Sequence, residues 1–432
     1  MHTEGKLLIR TEWKRFEVTF LTVFTLFFFC RLSFLNFAKA FGIPLMLMVN
    51  VIVAVMLVFG FLYTFSSEKN ICWDGIVVIL AAWLFFELTL VFHPEYQYRY
   101  LDELHSGRFS FEAVFSFGSA IYAYYVIRLH AGNPDHLYRI YRFMPYALLF
   151  LNIGTLLFNR SDAYSMDFGY QMALAAMLFM AVYLHEKSKP HRLILSFCCI
   201  AAGVLYGSRA CIIGYGLFIV LYFIWQRKMT ARLFAVFALA AAALTAFFSQ
   251  TVMMWIYRFF SGIGLNSRTL YLLAQGNILA ADTARQDKIW PALFSILRRT
   301  PLFKAYGAYG GRYHLASNWA YEHNIVFEML FTFGIILGSL ILIVLIVTFV
   351  RVLIKDRSTT GLLTLVFGCF SLSRLFLSNT FWQEAYFWAF LAMLVNASLK
   401  IRKERNAKRS ENAAAYERSL FRAPEGEACQ NG

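Results

Sequence analysis

The chain has 432 residues, 59% of them apolar and only 15% charged, with a net charge of +15 at pH 7. A soluble domain carries about 25% charged residues, so a water-soluble globule is excluded. Nucleic-acid binding is not needed to explain the charge, because the basic residues fall where a topology signal and attraction to anionic lipid put them.

Apolar runs of about 18 or more residues recur along the chain, each long enough to cross about 30 Å of hydrocarbon as a helix. They are continuous and do not alternate, which argues against a transmembrane β-barrel. The pattern predicts an all-α polytopic membrane protein with twelve spans at 17–36, 43–65, 71–92, 110–128, 142–158, 166–184, 193–206, 210–226, 232–250, 322–350, 360–378 and 380–398. Residues 1–250 then carry helices one to nine, 251–321 form one long extracytoplasmic loop, 322–398 carry the last three helices, and 399–432 form a basic cytoplasmic tail. The first run follows the basic stretch Lys6 to Arg15 and lacks a small-residue cleavage site, so it is expected to be a retained helix.

Orientation follows from Lys and Arg. With the N-terminus inside, the inner segments hold most of the 40 basic residues, whereas the short outer segments hold Lys39, Arg99, Arg108, Arg160 and Arg209. Both termini are therefore expected in the cytoplasm. The basic residues of 251–321 are tolerated outside because long loops translocate regardless of charge. None of the seven cysteines lies in a long outer loop, so no disulfide framework is implied, and the Cys198-Cys199 pair is expected to pack as small apolar residues. The tail beyond Arg402 is charged and poor in large apolar residues, and is expected to be disordered or to lie on the inner leaflet.

Several motifs are missing. There is no Gly-rich phosphate loop ending in Gly-Lys-Ser/Thr, no His-Glu-x-x-His, no zinc-spaced Cys/His cluster and no Asp-x-Asp pair. No cofactor and no metal are expected. No internal repeat and no matched pair of broken helices is visible, unlike many transporters.

The long loop carries the informative residues. The segment 285–299 reads as an amphipathic helix with Ile289, Ala292, Leu293, Ile296 and Leu297 on one face, ended by Pro301. It is expected along the outer interface with Trp290 at headgroup depth. Next, Tyr306 to Arg312 reads as a flexible, glycine-rich aromatic turn, suited to sugar stacking or to a membrane interface. Arg209, in the short turn Gly207-Ser208-Arg209, is placed near the bilayer surface, where a guanidinium grips a phosphate through two hydrogen bonds or anchors a helix end. Arg374 lies inside an apolar run. It needs a partner or a water-filled cavity, and Glu328, Glu384 and Glu87 are the candidates; structural pairing and function both remain open. His323 opens the helix that follows the loop. The positive end of a helix favours a neutral imidazole that can accept a proton, while the neighbouring Glu322 pushes the other way.

These pieces resemble the O-antigen ligase/polymerase family of membrane glycan-transfer proteins. Gly207-Ser208-Arg209-Ala210 is similar to that family's Gly-Ser-Arg turn. The run Arg285 … Trp290-Pro291-Ala292-Leu293 … Pro301-Leu302 … Tyr306-Gly307 … Tyr309-Gly310 resembles the start of its external-loop motif. His323-Asn324 … Glu328 … Gly334 resembles its His-Asn motif. The matching blocks span residues 200–345. Where the family loop often has its first glycine, this chain has Lys304-Ala305, and Arg268 and Arg285 both fit the loop arginine.

The resemblance implies a GT-C-like architecture in the cytoplasmic (inner) membrane of a bacterium. It implies metal-independent glycosyl transfer from an undecaprenyl-pyrophosphate-linked oligosaccharide at the outer face. His323, Arg209 and Arg285 would be catalytic, and Arg268, Arg312, Asn324 and Tyr309 would bind substrate. The partners would be the lipid-linked oligosaccharide, membrane lipids, a chain-length regulator and a flippase, with no nucleic acid. The product would be a surface polysaccharide: O-antigen, capsule or exopolysaccharide. A ligase that hands the glycan to another acceptor uses the same chemistry, and a lipid-glycan flippase or other twelve-helix transporter has similar hydropathy.

Overall fold

The computed structural model describes residues 2–43, 45–66, 73–96, 120–158, 166–186, 189–206, 210–226, 250–262, 267–275, 289–308, 310–314, 322, 324–377 and 379–421. Every regular element among them is a helix: α1 (His2–Ala40), α2 (Met46–Ser66), α3 (Trp73–Phe92), α4 (Tyr122–Arg128), α5 (Pro134–Phe158), α6 (Met166–Glu186), α7 (His191–Tyr206), α8 (Ala210–Trp225), α9 (Gln250–Gly262), α10 (Arg268–Ala274), α11 (Trp290–Arg299), α12 (Gly310–His314), α13 (Ile325–Phe333), α14 (Ile335–Lys355), α15 (Thr359–Leu377) and α16 (Ala385–Phe421).

Seven of these are long and apolar enough to cross a membrane: Glu17–Ala40, Leu47–Phe65, Trp73–Phe92, Pro134–Phe158, Met166–Glu186, Ile335–Lys355 and Thr359–Phe376. The chain is a helical membrane protein. His191–Tyr206 and Cys211–Trp225 are shorter apolar helices. The expected spans at 110–128 and 232–250 fall largely or almost wholly outside the described residues, so the described helices do not establish a count of twelve.

α6 and α15 form the centre, with 83% and 78% of their spanning windows buried, against 17% for α3 and 22% for α14. A helix that is apolar all round is stable only where every face is covered or faces lipid. α6 is covered because small residues such as Gly169, Ala173 and Ala176 let α5, α7 and α8 close on it. α3 and α14 instead present Val77, Leu84, Leu340 and Val344 outward, as lipid-facing helices do. One polar cluster joins three helices inside the bundle. The Asn152 amide donates to Ser33 Oγ at 3.0 Å and to Gln171 Oε1 at 3.3 Å, which joins α1, α5 and α6. Among the described cysteines Cys199 is buried and Cys198 exposed, so only one of the pair packs inside.

The helix ends sort into two groups, as an alternating topology requires. At one end, here the tail end, Arg128 pairs with Asp74 at 2.7 Å and donates to Asn396. Arg192 pairs with Glu186 at 3.0 Å, Lys400 pairs with Asp356 at 3.4 Å, and Trp225 Nε1 donates to the Asp356 carbonyl at 2.8 Å. His130 meets Thr25 Oγ1 at 2.8 Å, and burial pushes its pKa down to about 3, so it is a neutral hydrogen-bonding group.

Two expectations are corrected here. The run 322–350 is not one helix. It breaks at Gly334, whose φ of 83° and ψ of 162° belong to a region open almost only to glycine. The tail, where disorder was one of two expectations, is helical through Phe421. Its Ala, Lys, Arg and Glu content has high intrinsic helix propensity, which outweighs the lack of a packed face. Gly334→Ala is expected to cost about 1–3 kcal/mol through backbone strain, with added contact on the Lys304 carbonyl. A detergent-solubilised melt that left stability unchanged would show that the break does not depend on glycine.

A candidate functional site at the helix break

The break in the 322–350 run exposes the last carbonyls of α13, and these need partners. They find them in the segment after α11. Tyr306 N donates to Phe331 O at 2.9 Å and Gly307 N to Thr332 O at 3.2 Å, while on the other side of the break Ile336 N, in the first turn of α14, donates to Leu302 O at 3.4 Å. Ala308 N donates to Thr89 Oγ1 of α3 at 3.1 Å. Gly307 has φ of 76°, and a side chain there would run into Thr89. The described start of the aromatic turn, Tyr306 to Ala308, is held by these hydrogen bonds.

α11 forms where the sequence places it, with proline in its first turn and an extended Thr300 at its end. Part of its apolar face packs on protein. Ile289 and Leu293 pack with Tyr306, Phe327 and Phe331, and Trp290, Ile296 and Leu297 border them. The half-helix α13 offers Phe327 and Phe331, which this face covers. Ala292 is exposed and does not belong to this face.

Around this anchor the far end collects polar and aromatic groups from distant positions. His93 and Tyr96 stack with ring centroids 4.7 Å apart. Tyr306 and His314 meet edge to face at 4.6 Å, and Tyr96 meets His314 at 6.4 Å. Lys304 Nζ lies 5.0 Å over the Tyr306 ring, and Tyr306 OH pairs with Thr300 Oγ1 at 2.7 Å. Glu322 is buried against the backbone of Gly311. Partial burial lowers the His314 pKa below its ordinary 6.5, helped by the positive charge of Lys304 and by His93, with Glu95 opposing. His314 is thus neutral at pH 7 and able to take a proton.

Behind these groups runs a second network. Glu328 accepts from Thr380 Oγ1 and from Phe381 N at 3.1 Å. Asn379 donates to Glu384 at 2.7 Å, and Thr380 N to Asn379 Oδ1 at 2.9 Å. Arg374 pairs with Glu384 at 3.0 Å and with Asp167 at 2.8 Å, and covers the Tyr170 ring at 4.7 Å. Of its three candidate partners Glu384 is the one it uses; Asp167 adds a second carboxylate.

No family model, no curated protein and no solved structure matches the chain.

Of the expected site residues, Asn324 is placed: it caps α13, its side-chain oxygen accepting from Val326 N at 2.9 Å. That local role satisfies a helix N-terminus whatever else Asn324 does. Arg209, Arg285, Tyr309 and His323 lie outside the described residues, as do the side chains of Arg268 and Arg312. No sequence motif singled out His93, Tyr96, Lys304 or His314. One signal existed: of the nine histidines, His93 and His314 both fall beside apolar runs in segments expected outside. Among the described residues no group of three His, Cys, Asp or Glu could hold a metal ion. Chemically, the arrangement offers stacking faces for a sugar, cations for an anionic group in Lys304, Arg298 and Arg299, and a neutral imidazole for a proton.

Proposed function

We propose that this protein polymerises undecaprenyl-pyrophosphate-linked oligosaccharide repeat units into a surface polysaccharide at the outer face of a bacterial cytoplasmic membrane. The observation that carries the reading is the segment 302–308, pinned to a helix break, with aromatic rings, a cation and the neutral imidazole of His314 gathered beside it. The motif resemblance through Arg209, the 285–310 run and His323-Asn324 supplies the substrate class.

In this mechanism an acceptor hydroxyl oxygen attacks the anomeric carbon of the donor glycan. The new glycosidic bond forms as the bond from that carbon to the pyrophosphate oxygen breaks. The hydroxyl proton passes to a histidine, His323 by the motif. The lipid pyrophosphate leaves carrying the electron pair, and Arg209 with Arg285 or Arg268 stabilises its growing charge. Arg312 and Tyr309 hold the sugars, and Asn324 holds the start of α13.

Polymerase is preferred to ligase on charge. The segment His93 to Arg108 carries Glu95, Asp102 and Glu103 against two arginines, a poor match for a polyanionic core acceptor. Deleting the gene in its host tests this. Loss of long chains, with single repeat units still attached to the surface, is the expected phenotype. Accumulation of long lipid-linked chains left unattached would instead identify a ligase. Normal surface glycan would remove both. A flippase draws support from the helix break at Gly334, a feature of transporter binding sites; in that case repeat units would accumulate on the cytoplasmic side.

A supporting measurement concerns phosphate grip. Arg209→Lys should retain charge but lose the bidentate contact, and donor turnover is expected to fall by about tenfold or more, the loss of one strong hydrogen bond at about 1.4 kcal/mol per factor of ten. Wild-type turnover in the lysine variant would reduce Arg209 to a helix anchor.

A further inference from the structure

A groove of about 930 Å³ opens sideways between α14 and α16, floored by Tyr124 of α4. It lies at the tail end, away from the helix break, and plays no part in the glycan chemistry. Its volume sits at the upper end of the range of about 300–1,000 Å³ typical of ligand sites.

The two walls are built alike. On α14 the ridge Ile341, Val344, Thr348 ends in Arg351. On α16 the ridge Leu391, Val395, Ser398 ends in Arg402, and continues one and two turns later with Arg405 and Arg409. Spacings of three and four keep each ridge on one helix face. Both helices run from the break end toward the tail end. Each wall, from Leu340 to Arg351 and from Leu391 to Arg402, rises through eleven residue steps, or about 16 Å of helix. That is half of the about 30 Å hydrocarbon thickness, the depth of one leaflet. The guanidinium groups therefore start where the acyl chains end.

All four arginines are exposed. None makes an ion pair among the described residues, although Lys400 beside them pairs with both Asp356 and Glu404. An apolar trough open to the hydrocarbon does not stay empty or wet, because nothing there can hydrogen-bond water. It fills with acyl chain. Four unneutralised cations at its mouth select which lipid enters.

We propose that this groove holds one anionic phospholipid of the leaflet at the tail end, with an acyl chain along the α14 and α16 walls and its phosphate on Arg351, Arg402, Arg405 and Arg409. Charge complementarity and the one-leaflet depth decide for this occupant over a second protein chain. Arginine suits the role, since its planar fork meets phosphate oxygens in pairs. The bound lipid fastens the start of the α16 extension to the membrane, where that helix leaves the bundle.

The test uses the full chain in nanodiscs of phosphatidylcholine doped with phosphatidylglycerol, released into native mass spectrometry. Wild-type protein is expected to retain one phosphatidylglycerol in preference to phosphatidylcholine. Replacing Arg351, Arg402, Arg405 and Arg409 by glutamine should weaken retention by about fivefold per arginine. Leu340→Trp with Val344→Trp, both at exposed positions, fills the groove while keeping every charge, and should also displace the lipid. Removing four other cations from that end, by glutamine at Arg139, Lys355, Lys403 and Lys408, should leave retention intact. Equal loss in this last variant would mean diffuse attraction to the leaflet and overturn the site. So would unchanged retention in the tryptophan variant, or a two-protomer species that separates when the groove is filled, which would make a second copy the occupant.

Discussion

Arg374→Leu is expected to destabilise the protein by about 3–5 kcal/mol, the cost of leaving a buried carboxylate without its counter-charge. The Glu384 side chain is 1% exposed and Arg374 13%, whereas Asp167 is half exposed and can turn to water. The penalty therefore falls on Glu384. That carboxylate keeps the Asn379 amide at 2.7 Å and Tyr386 N at 3.3 Å, which hold its position but do not neutralise it. The double variant Arg374→Leu with Glu384→Gln removes the uncompensated charge and should regain most of the loss. Unfolding midpoints in detergent measure both. If the single variant is as stable as wild type, the pair contributes nothing. If the double variant is no better than the single, the arginine acts by packing over Tyr170 and not through Glu384. Either outcome would refute the idea that Arg374 is tolerated in the last turn of α15 because it is paired.

The second large effect concerns the proton acceptor of the proposed transfer. His323→Ala is expected to slow chain extension by about 10²–10⁴-fold, the usual contribution of a positioned base, with donor binding retained. His323 directly precedes Asn324, the cap of α13, and the start of a helix disfavours a cation. His314 is the competing candidate, because its environment of Tyr306, Lys304 and His93 keeps it neutral. The two separate by pH profile. A base is competent in its neutral form, so activity is full above the folded pKa and falls as pH drops through it. For His314 that pKa lies below 6.5, so an acid limb below pH 6.5 that disappears in His314→Gln would transfer the role to His314. The same limb surviving in His314→Gln and vanishing with His323 would keep it where the motif puts it. Full activity in both variants would leave the mechanism without a histidine base.

Much of the scaffold was legible because hydrophobic length is a local property. The runs at 17–36, 43–65, 71–92, 166–184 and 360–378 each became a helix able to span a membrane. The run at 142–158 did too, but its helix starts eight residues earlier at Pro134, because Arg139 and Arg142 belong to the polar tail end and not to a loop. The amphipathic 289–299 stretch was legible as a helix for the same reason, though not its docking surface. What failed was whatever depended on a partner. The apolar face of α11 fits lipid headgroups and Phe327 equally well, and sequence pattern does not choose between them.

The chain alone determined that this is a helical membrane protein, that its polar ends segregate, and that Arg374, inside an apolar run, needs a partner or a water-filled cavity. Each follows from the cost of exposing backbone or charge to hydrocarbon, and that cost is the same in any fold. Only the tertiary structure decided which carboxylates serve Arg374, that Gly334 splits a continuous apolar run, and that the segment from Leu302 to Ala308 closes the split against Thr89. It likewise brought His93, Tyr96, Tyr306 and His314 together across more than two hundred residues of chain, and lined one groove with arginines from both α14 and α16. These are contacts between remote segments. Their free energy depends on which surfaces meet, and no local pattern carries that information.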